Sequence, residues 1–304
     1  MPREARAPFN TNRADVVLRS SDDIYFRVHS CILGFSSPFF DSMFDLPRPR
    51  TRDGDQDVWD GLDVIQVTED GQILDMLLRF CYPAAVEDPR LETTEELEAV
   101  LEAAVKYAME EVEEKLRAAL LDPKFLETEP LRIFSIAYRF RFEAEARAAA
   151  TCLLRTPTAP FHSSPLKEID DSDLEKLAIY RSNCAEAVRA LGRNLATLHR
   201  KQSYAFYKWW TNFCSCPQRP DARYLMHGTY AREWWADYLD ETIAALQETP
   251  CGRAVMQHVP KALQMATSCP SCQSKAPVHM ADFSRSFAQE IDQAIACVPL
   301  GMTF

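Results

Sequence analysis

Apolar and polar positions alternate in three short stretches of the chain, none later than residue 67. Asp15-Val-Val-Leu-Arg19 and Ile24-Tyr-Phe-Arg-Val28 are rich in β-branched and aromatic residues, and Ser20-Ser-Asp-Asp23 between them is turn chemistry. The pair predicts a hairpin. Leu62-Asp-Val-Ile-Gln-Val67 predicts a third strand. Between hairpin and third strand, His29-Ser30 opens a short helix through Phe35. Pro38 opens another, Phe39–Phe44, because proline suits the first helical position. The polar stretch from Leu46 to Gly61 predicts a mobile loop.

From residue 70 onward the apolar period becomes helical. Ile73, Met76, Leu77 and Phe80 form one stripe, Leu97, Val100, Leu101, Ala104 and Tyr107 a second, and Val112, Leu116 and Leu120 a third. Val17, Leu33, Phe40, Phe44, Leu77 and Phe80 are the expected core. Helices are predicted over 129–140 and 143–154, and Thr156–Pro165 is a Pro-rich linker. Ser172-Asp-Leu-Glu175 reads as a capping box opening a helix toward Arg200. Its heptad-like apolar spacing suits packing within its own domain better than an intermolecular coiled coil. Later helices are expected over 222–247, 253–267 and 282–297, the last with Phe283, Phe287, Ile291 and Ile295 on one face. The expected fold class is α+β: a small sheet with surrounding helices over 13–121, preceded by a flexible 1–12. A helical extension over 122–155, the linker 156–165 and an all-helical domain over 166–304 follow.

Composition narrows the function. The chain has 304 residues, 34 Lys plus Arg and 45 Asp plus Glu, a formal charge of −11. Nucleic-acid binders normally carry a basic surplus, so no nucleic-acid partner is expected. Eight scattered glycines and no phosphate-loop, dinucleotide, nucleophile-elbow or zincin motif argue against the common nucleotide and hydrolase chemistries. No apolar run reaches membrane-spanning length and the N-terminal residues do not form a secretory signal. Residues 87–129 hold fourteen Asp/Glu against five Lys/Arg, which reads first as a solvated helix face and second as a docking face for a basic partner. The aromatic run from Tyr204 to Phe213, with Trp234, Trp235 and Tyr238, has few basic residues around it and reads as helix packing rather than base stacking.

The order of strand, strand, two short helices, strand and three helices, with the residues that fill it, resembles the BTB/POZ domain, in particular its fungal branch. The carrying motifs are Asp15-Val-Val-Leu, Phe26-Arg-Val-His29-Ser-Cys-Ile-Leu33, Ser36-Ser37-Pro-Phe-Phe40 and Met43-Phe44. Ile65-Gln-Val-Thr-Glu-Asp70, Met76-Leu-Leu-Arg-Phe-Cys-Tyr82-Pro83 and Ala103-Ala-Val-Lys-Tyr107 support it. The resemblance covers about a third of the chain and implies a non-enzymatic protein-interaction module, an adaptor or scaffold, with a homodimer through this domain as one mode. It implies structural roles for Asp15, His29, Leu33, Ser37, Phe40 and Tyr82, with no catalytic residue and no cofactor. Asp15 should anchor the turn before its strand, and His29 should satisfy backbone groups at the step into the helix. Dimeric members follow the histidine with a Lys or Arg that pairs with the strand aspartate; Ser30 stands here. Some members act as substrate adaptors for cullin-type ubiquitin ligases, but the stretch after Phe44 lacks the signature expected of those. An unrecognised enzyme in the helical half is the remaining alternative.

Ten cysteines at irregular spacing, several inside apolar patterns, read as reduced thiols in the cytosol or nucleus. Four stand out. Cys214-x-Cys216 and Cys269-x-x-Cys272 could supply the four sulfurs of a structural zinc site, with His227, Cys251 and His279 nearby in sequence. The C-x-C spacing and the long separation match no standard finger, so packed, reduced thiols remain the simpler reading. A redox pair ranks last, because no β-α-β pattern surrounds it.

Overall fold

A computed structural model describes residues 3–46, 58–82, 88–157, 171–193, 209, 214–226 and 228–303. The chain divides into two compact units, Met1–Ile136 and Ala137–Phe304. The expected loop over 46–61, the linker 156–165 and the aromatics Tyr204, Phe206, Tyr207, Trp210 and Phe213 lie wholly or largely outside the described residues.

The first unit is built on a five-stranded sheet of order β1-β3-β2-β5-β4. Its strands are β1 (Arg3–Glu4), β2 (Val16–Arg19), β3 (Ile24–Val28), β4 (Val58–Trp59) and β5 (Leu62–Gln66). β2 and β3 form the expected hairpin, with Val16 opposite Val28 and Leu18 opposite Phe26. The turn is locked by side chains: Ser20 Oγ donates to Asp22 at 2.7 Å and accepts the Ile24 N–H at 2.9 Å. β5 adds in parallel on the other side of β2, aligning Val17 with Val64.

The N-terminal segment is not a free tail. Arg3–Glu4 pairs in parallel with β3, the Ala5 N–H donates to the Tyr25 carbonyl at 2.9 Å, and Phe9 is fully buried. β3 would otherwise present unpaired backbone groups along an open edge, and residues 3–9 satisfy them while filling the space beside Tyr82.

Helices α1 (Ser30–Ser36), α2 (Pro38–Asp45), α3 (Gly71–Cys81), α4 (Thr94–Lys106), α5 (Glu110–Leu120), α6 (Pro123–Leu126) and α7 (Pro130–Arg139) accompany the sheet. Val17, Leu33, Phe40 and Leu77 are buried as expected, but Phe44 and Phe80 are only half-buried. α3 is rotated so that Leu74, Leu77 and Leu78 face inward. Phe80 sits at the rim under the Lys115 ammonium, 5.7 Å from its ring centre, and Phe44 stacks outside Phe40 at 6.1 Å. The stripes on α4 and α5 are buried at every expected position.

The boundary between the two units falls inside α7. The second unit holds α8 (Glu143–Leu153), α9 (Asp171–Arg193), α10 (Glu233–Glu248), α11 (Gly252–Gln257), α12 (Val259–Ala266), α13 (Pro270–Gln273) and α14 (Ala276–Ala296). Four expectations change here. The described residues of 222–232 form no α-helix: a 3-10 turn leads into a hairpin of two-residue strands, β6 (Leu225–Met226) and β7 (Thr229–Tyr230), with Gly228 at a φ of 74°. The helix expected over 253–267 is two helices meeting at His258, because Pro260 has no N–H to continue the first. Ser172 lies inside α9, which is described from Asp171, rather than at its N-cap. α14 starts six residues earlier than expected, with Pro277 in its first turn, and buries Phe283, Phe287, Ile291 and Ile295 on one face.

Candidate functional site

Of the residues singled out in the first unit, Asp15, His29 and Tyr82 meet at the seam between β3, α1 and α3, and Ser37 and Phe40 sit where α2 meets the end of α4. Asp15 does not hold a turn. Its carboxylate accepts both the backbone N–H of Ser30, at 2.8 Å, and the Ser30 hydroxyl, at 2.5 Å, and so satisfies the first N–H of α1 from a neighbouring segment. Burial would raise the Asp15 carboxyl, but these hydrogen bonds outweigh it and hold it below the usual carboxylate value. Ser30 therefore takes the aspartate as a neutral partner where a cation was expected from dimeric members. His29 occupies the N-cap of α1 without a side-chain capping bond. Its backbone N–H donates to the Tyr82 hydroxyl at 3.1 Å, and its Nδ1 lies 3.2 Å from the same oxygen. Burial raises the Tyr82 hydroxyl, so it stays a protonated, two-way link between the end of α3 and the start of α1. Ser37 is fully buried: its hydroxyl accepts the Phe40 N–H and donates to the Tyr107 carbonyl at 2.5 Å. Phe40 stacks on Tyr107 at 4.9 Å. These are fastening roles.

The outward side of the same hairpin of helices was not anticipated. Phe35 is 93% exposed, Phe39 48% and Leu46 65%, three large apolar side chains within twelve residues. The helical period assigns Phe35 to α1 without indicating that it points away from the unit.

In the second unit the four sequence-selected cysteines converge. Cys214 Sγ lies 3.3 Å from Cys269 Sγ and 3.2 Å from Cys272 Sγ, and Cys216 Sγ lies 3.7 Å from Cys272 Sγ. All four sulfurs fall within 4.8 Å of one another. Cys269 and Cys272 are buried, Cys214 and Cys216 half-buried. The first pair is held from behind: the Arg232 guanidinium donates to the Cys216 carbonyl at 2.9 Å, the Arg232 N–H to the Trp209 carbonyl and the Glu233 N–H to the Pro217 carbonyl. Trp209 itself is fully buried, stacked on Trp235 at 6.0 Å and edge-on to Phe283. The second pair sits on the short turn of α13, where the Cys269 carbonyl accepts the N–H groups of Cys272 and Gln273. Backbone N–H groups, that of Cys272 first, bring the Cys269 thiol down to about 6, while burial pushes Cys272 up to about 12 and raises Cys216. Among the described residues these four are the group able to share one metal ion. Cys251 is not with them, and His227 lies outside the described residues.

Residues 8–124 match the family model of the BTB/POZ domain. The chain carries a BTB/POZ domain. A search of curated proteins found no match to the chain. The matched span begins at Pro8, next to the buried Phe9, and ends inside α6, so β2, β3, α1–α5 and the Asp15–Ser30 and His29–Tyr82 links all lie within it. BTB/POZ domains form a protein-interaction family rather than an enzymatic one. The four-cysteine cluster lies wholly outside the BTB/POZ domain.

Beyond the domain, a cavity of 310 Å³ in the second unit is lined by Arg147, Tyr180, Cys251, Arg253 and Asp292 among others. Its carboxylate is committed: Asp292 accepts the Gly252 N–H at 2.9 Å. A Cβ on Gly252 would lie 2.9 Å from the Ala288 carbonyl oxygen, so only glycine allows this approach. Among the described residues no helix is long and apolar enough to cross a membrane.

Proposed function

We propose that the chain is a non-enzymatic adaptor or scaffold whose BTB/POZ domain self-associates through the outward face of α1 and α2. The observation that carries this reading is the exposure of Phe35, 93%, and Phe39, 48%, on adjoining helices of a domain whose family binds proteins. Scattered apolar side chains on a surface are ordinary, but a run of exposed aromatics is typical of an interface. A second copy supplies the same apolar surface, and a two-fold interface is self-complementary. Ten cysteines, none in a disulfide among the described residues, support a reducing compartment, cytosol or nucleus. The cullin-ligase reading has no residue in its favour, since Phe44-Asp-Leu-Pro and the basic, Pro-rich sequence after it lack the signature expected of such adaptors.

Sedimentation equilibrium of the full chain tests the proposal. The expected result is twice the chain mass, falling to one chain mass in Phe35→Glu/Phe39→Glu with unchanged far-UV circular dichroism. A wild-type monomer at tens of micromolar, or a double variant that dimerises equally well, would refute it.

A further inference from the structure

The geometry points to a structural zinc ion held by Cys214, Cys216, Cys269 and Cys272 in the second unit, at a site independent of the adaptor reading. In a tetrahedral tetrathiolate with zinc–sulfur bonds of about 2.3 Å, sulfurs lie roughly 3.8 Å apart along each edge. Three contacts of 3.2, 3.3 and 3.7 Å lie at or below that edge, and no pair is farther apart than 4.8 Å, an irregular version of the same figure. Bonded sulfurs would stand about 2.0 Å apart. The contacts are also shared rather than exclusive: Cys214 touches both members of the second pair, and Cys272 touches both members of the first. Two disulfides would leave each sulfur with one partner, whereas a central cation draws all four together.

The supporting groups fit the same reading. The Cys216 N–H points at Cys214 Sγ, at 3.3 Å, a hydrogen bond that favours the thiolate a metal needs. Arg232 is buried and fixes the Cys216 carbonyl, so the loop is oriented without a side-chain nitrogen competing for the sulfurs. Four soft thiolates suit zinc better than hard cations such as calcium or magnesium. Zinc entry displaces the thiol protons and leaves a doubly negative ZnS₄ centre, so acid should release the metal. With four protein ligands no coordination position stays open for water or substrate, and the ion is structural rather than hydrolytic. It ties the segment leading into β6 to the turn between α12 and α14. Those segments are far apart in sequence, so the tie removes freedom from the unfolded chain.

The full chain, purified in reductant without chelator, should carry about one zinc by elemental analysis. After acid stripping, titration with cobalt(II) should produce thiolate-to-metal charge-transfer bands and the strong visible bands of tetrahedral cobalt, both bleached by one equivalent of zinc. Cys269→Ser should lose both the zinc and the cobalt spectrum, while Cys251→Ser, a buried thiol outside the cluster, should keep them. The cobalt spectrum is read on the wild-type chain, so a variant that fails to fold leaves the test intact. Metal-free wild-type protein lacking the cobalt–thiolate bands, iron in place of zinc, or equal metal loss in Cys251→Ser would overturn the assignment.

Discussion

Glu69 is a carboxylate whose side chain is only 10% exposed, between β5 and α3. Burial would raise its pKa, but the Lys106 ammonium at 2.7 Å and the Tyr107 hydroxyl at 2.6 Å outweigh burial and hold it below the ordinary 4.5. The stabilisation is therefore complete above pH 4.5 and lost as pH falls through the lower folded value. Glu69→Gln should reduce stability near neutrality by about 1–2 kcal/mol, the low side for hydrogen bonds to a charged group, because Lys106 is 41% exposed and partly screened. Urea denaturation across pH should show the gap between wild type and variant closing as pH falls below 4.5; a gap that stays constant would place the Glu69 charge outside the stabilising network. The sequence marked Glu69 only as part of a supporting motif, since its role comes from Lys106 and Tyr107 at the end of α4. Asp15, His29, Ser37 and Tyr82 were legible as a set, but not their partners. A motif records which residues occur together along the chain, and the Asp15–Ser30 and His29–Tyr82 bonds form only when the hairpin closes on the helices.

The helices that were legible are those whose burial is decided by one stripe, such as α4, α5 and α14. What was missed lies at their ends. α4 begins with a capping box, Thr93 and Glu96, that the sequence spells out as Thr-x-x-Glu. It ends in a Schellman motif: the Ala108 N–H reaches the Val105 carbonyl at 3.1 Å and the Met109 N–H the Ala104 carbonyl at 2.9 Å. α7 ends the same way, through Arg141 and Phe142. Both motifs place a non-glycine residue in the left-handed region, Ala108 at φ 50° and Arg141 at φ 61°. The glycine that usually announces such a stop is absent, and the apolar residue after it, Met109 or Phe142, is buried as the next helix begins. Packing thus holds a backbone conformation that Ala108 disfavours. Ala108→Gly should remove that strain and raise stability by about 0.5–1 kcal/mol, visible as a higher melting temperature. A lower melting temperature would mean that Ala108 gains more from its Cβ than it loses from its dihedral. The N-terminal strand was illegible for a related reason: two residues carry no period, and only the open edge of β3 makes them a strand.

At the scale of the whole molecule, the net charge of −11 is organised rather than scattered. Glu95 and Glu96 lie in the first turn of α4, and Glu110, Glu111 and Glu113 in that of α5, where carboxylates face the positive ends of helix dipoles. Others meet cations: Glu92 pairs with Lys124 at 2.9 Å, and Glu95 and Glu98 both pair with Arg132. Many described basic side chains are similarly engaged, Arg27 with Glu4 and Asp60, Arg219 with Asp237, and Lys261 with Glu241. A phosphate backbone would have to displace these acids to reach the cations and would meet a repulsive field elsewhere. Among the described residues, the deep burial of Trp209, Trp234, Trp235 and Tyr238 leaves those rings no exposed face on which bases could stack. A labelled random-sequence duplex should therefore show no anisotropy change with micromolar full-length chain at physiological salt. Nonspecific DNA binding strengthens steeply as salt falls, by nearly one logarithmic unit per decade of salt for each phosphate neutralised. Saturable binding at physiological salt that tightens on dilution of the salt would reveal a basic surface that these ion pairs do not account for.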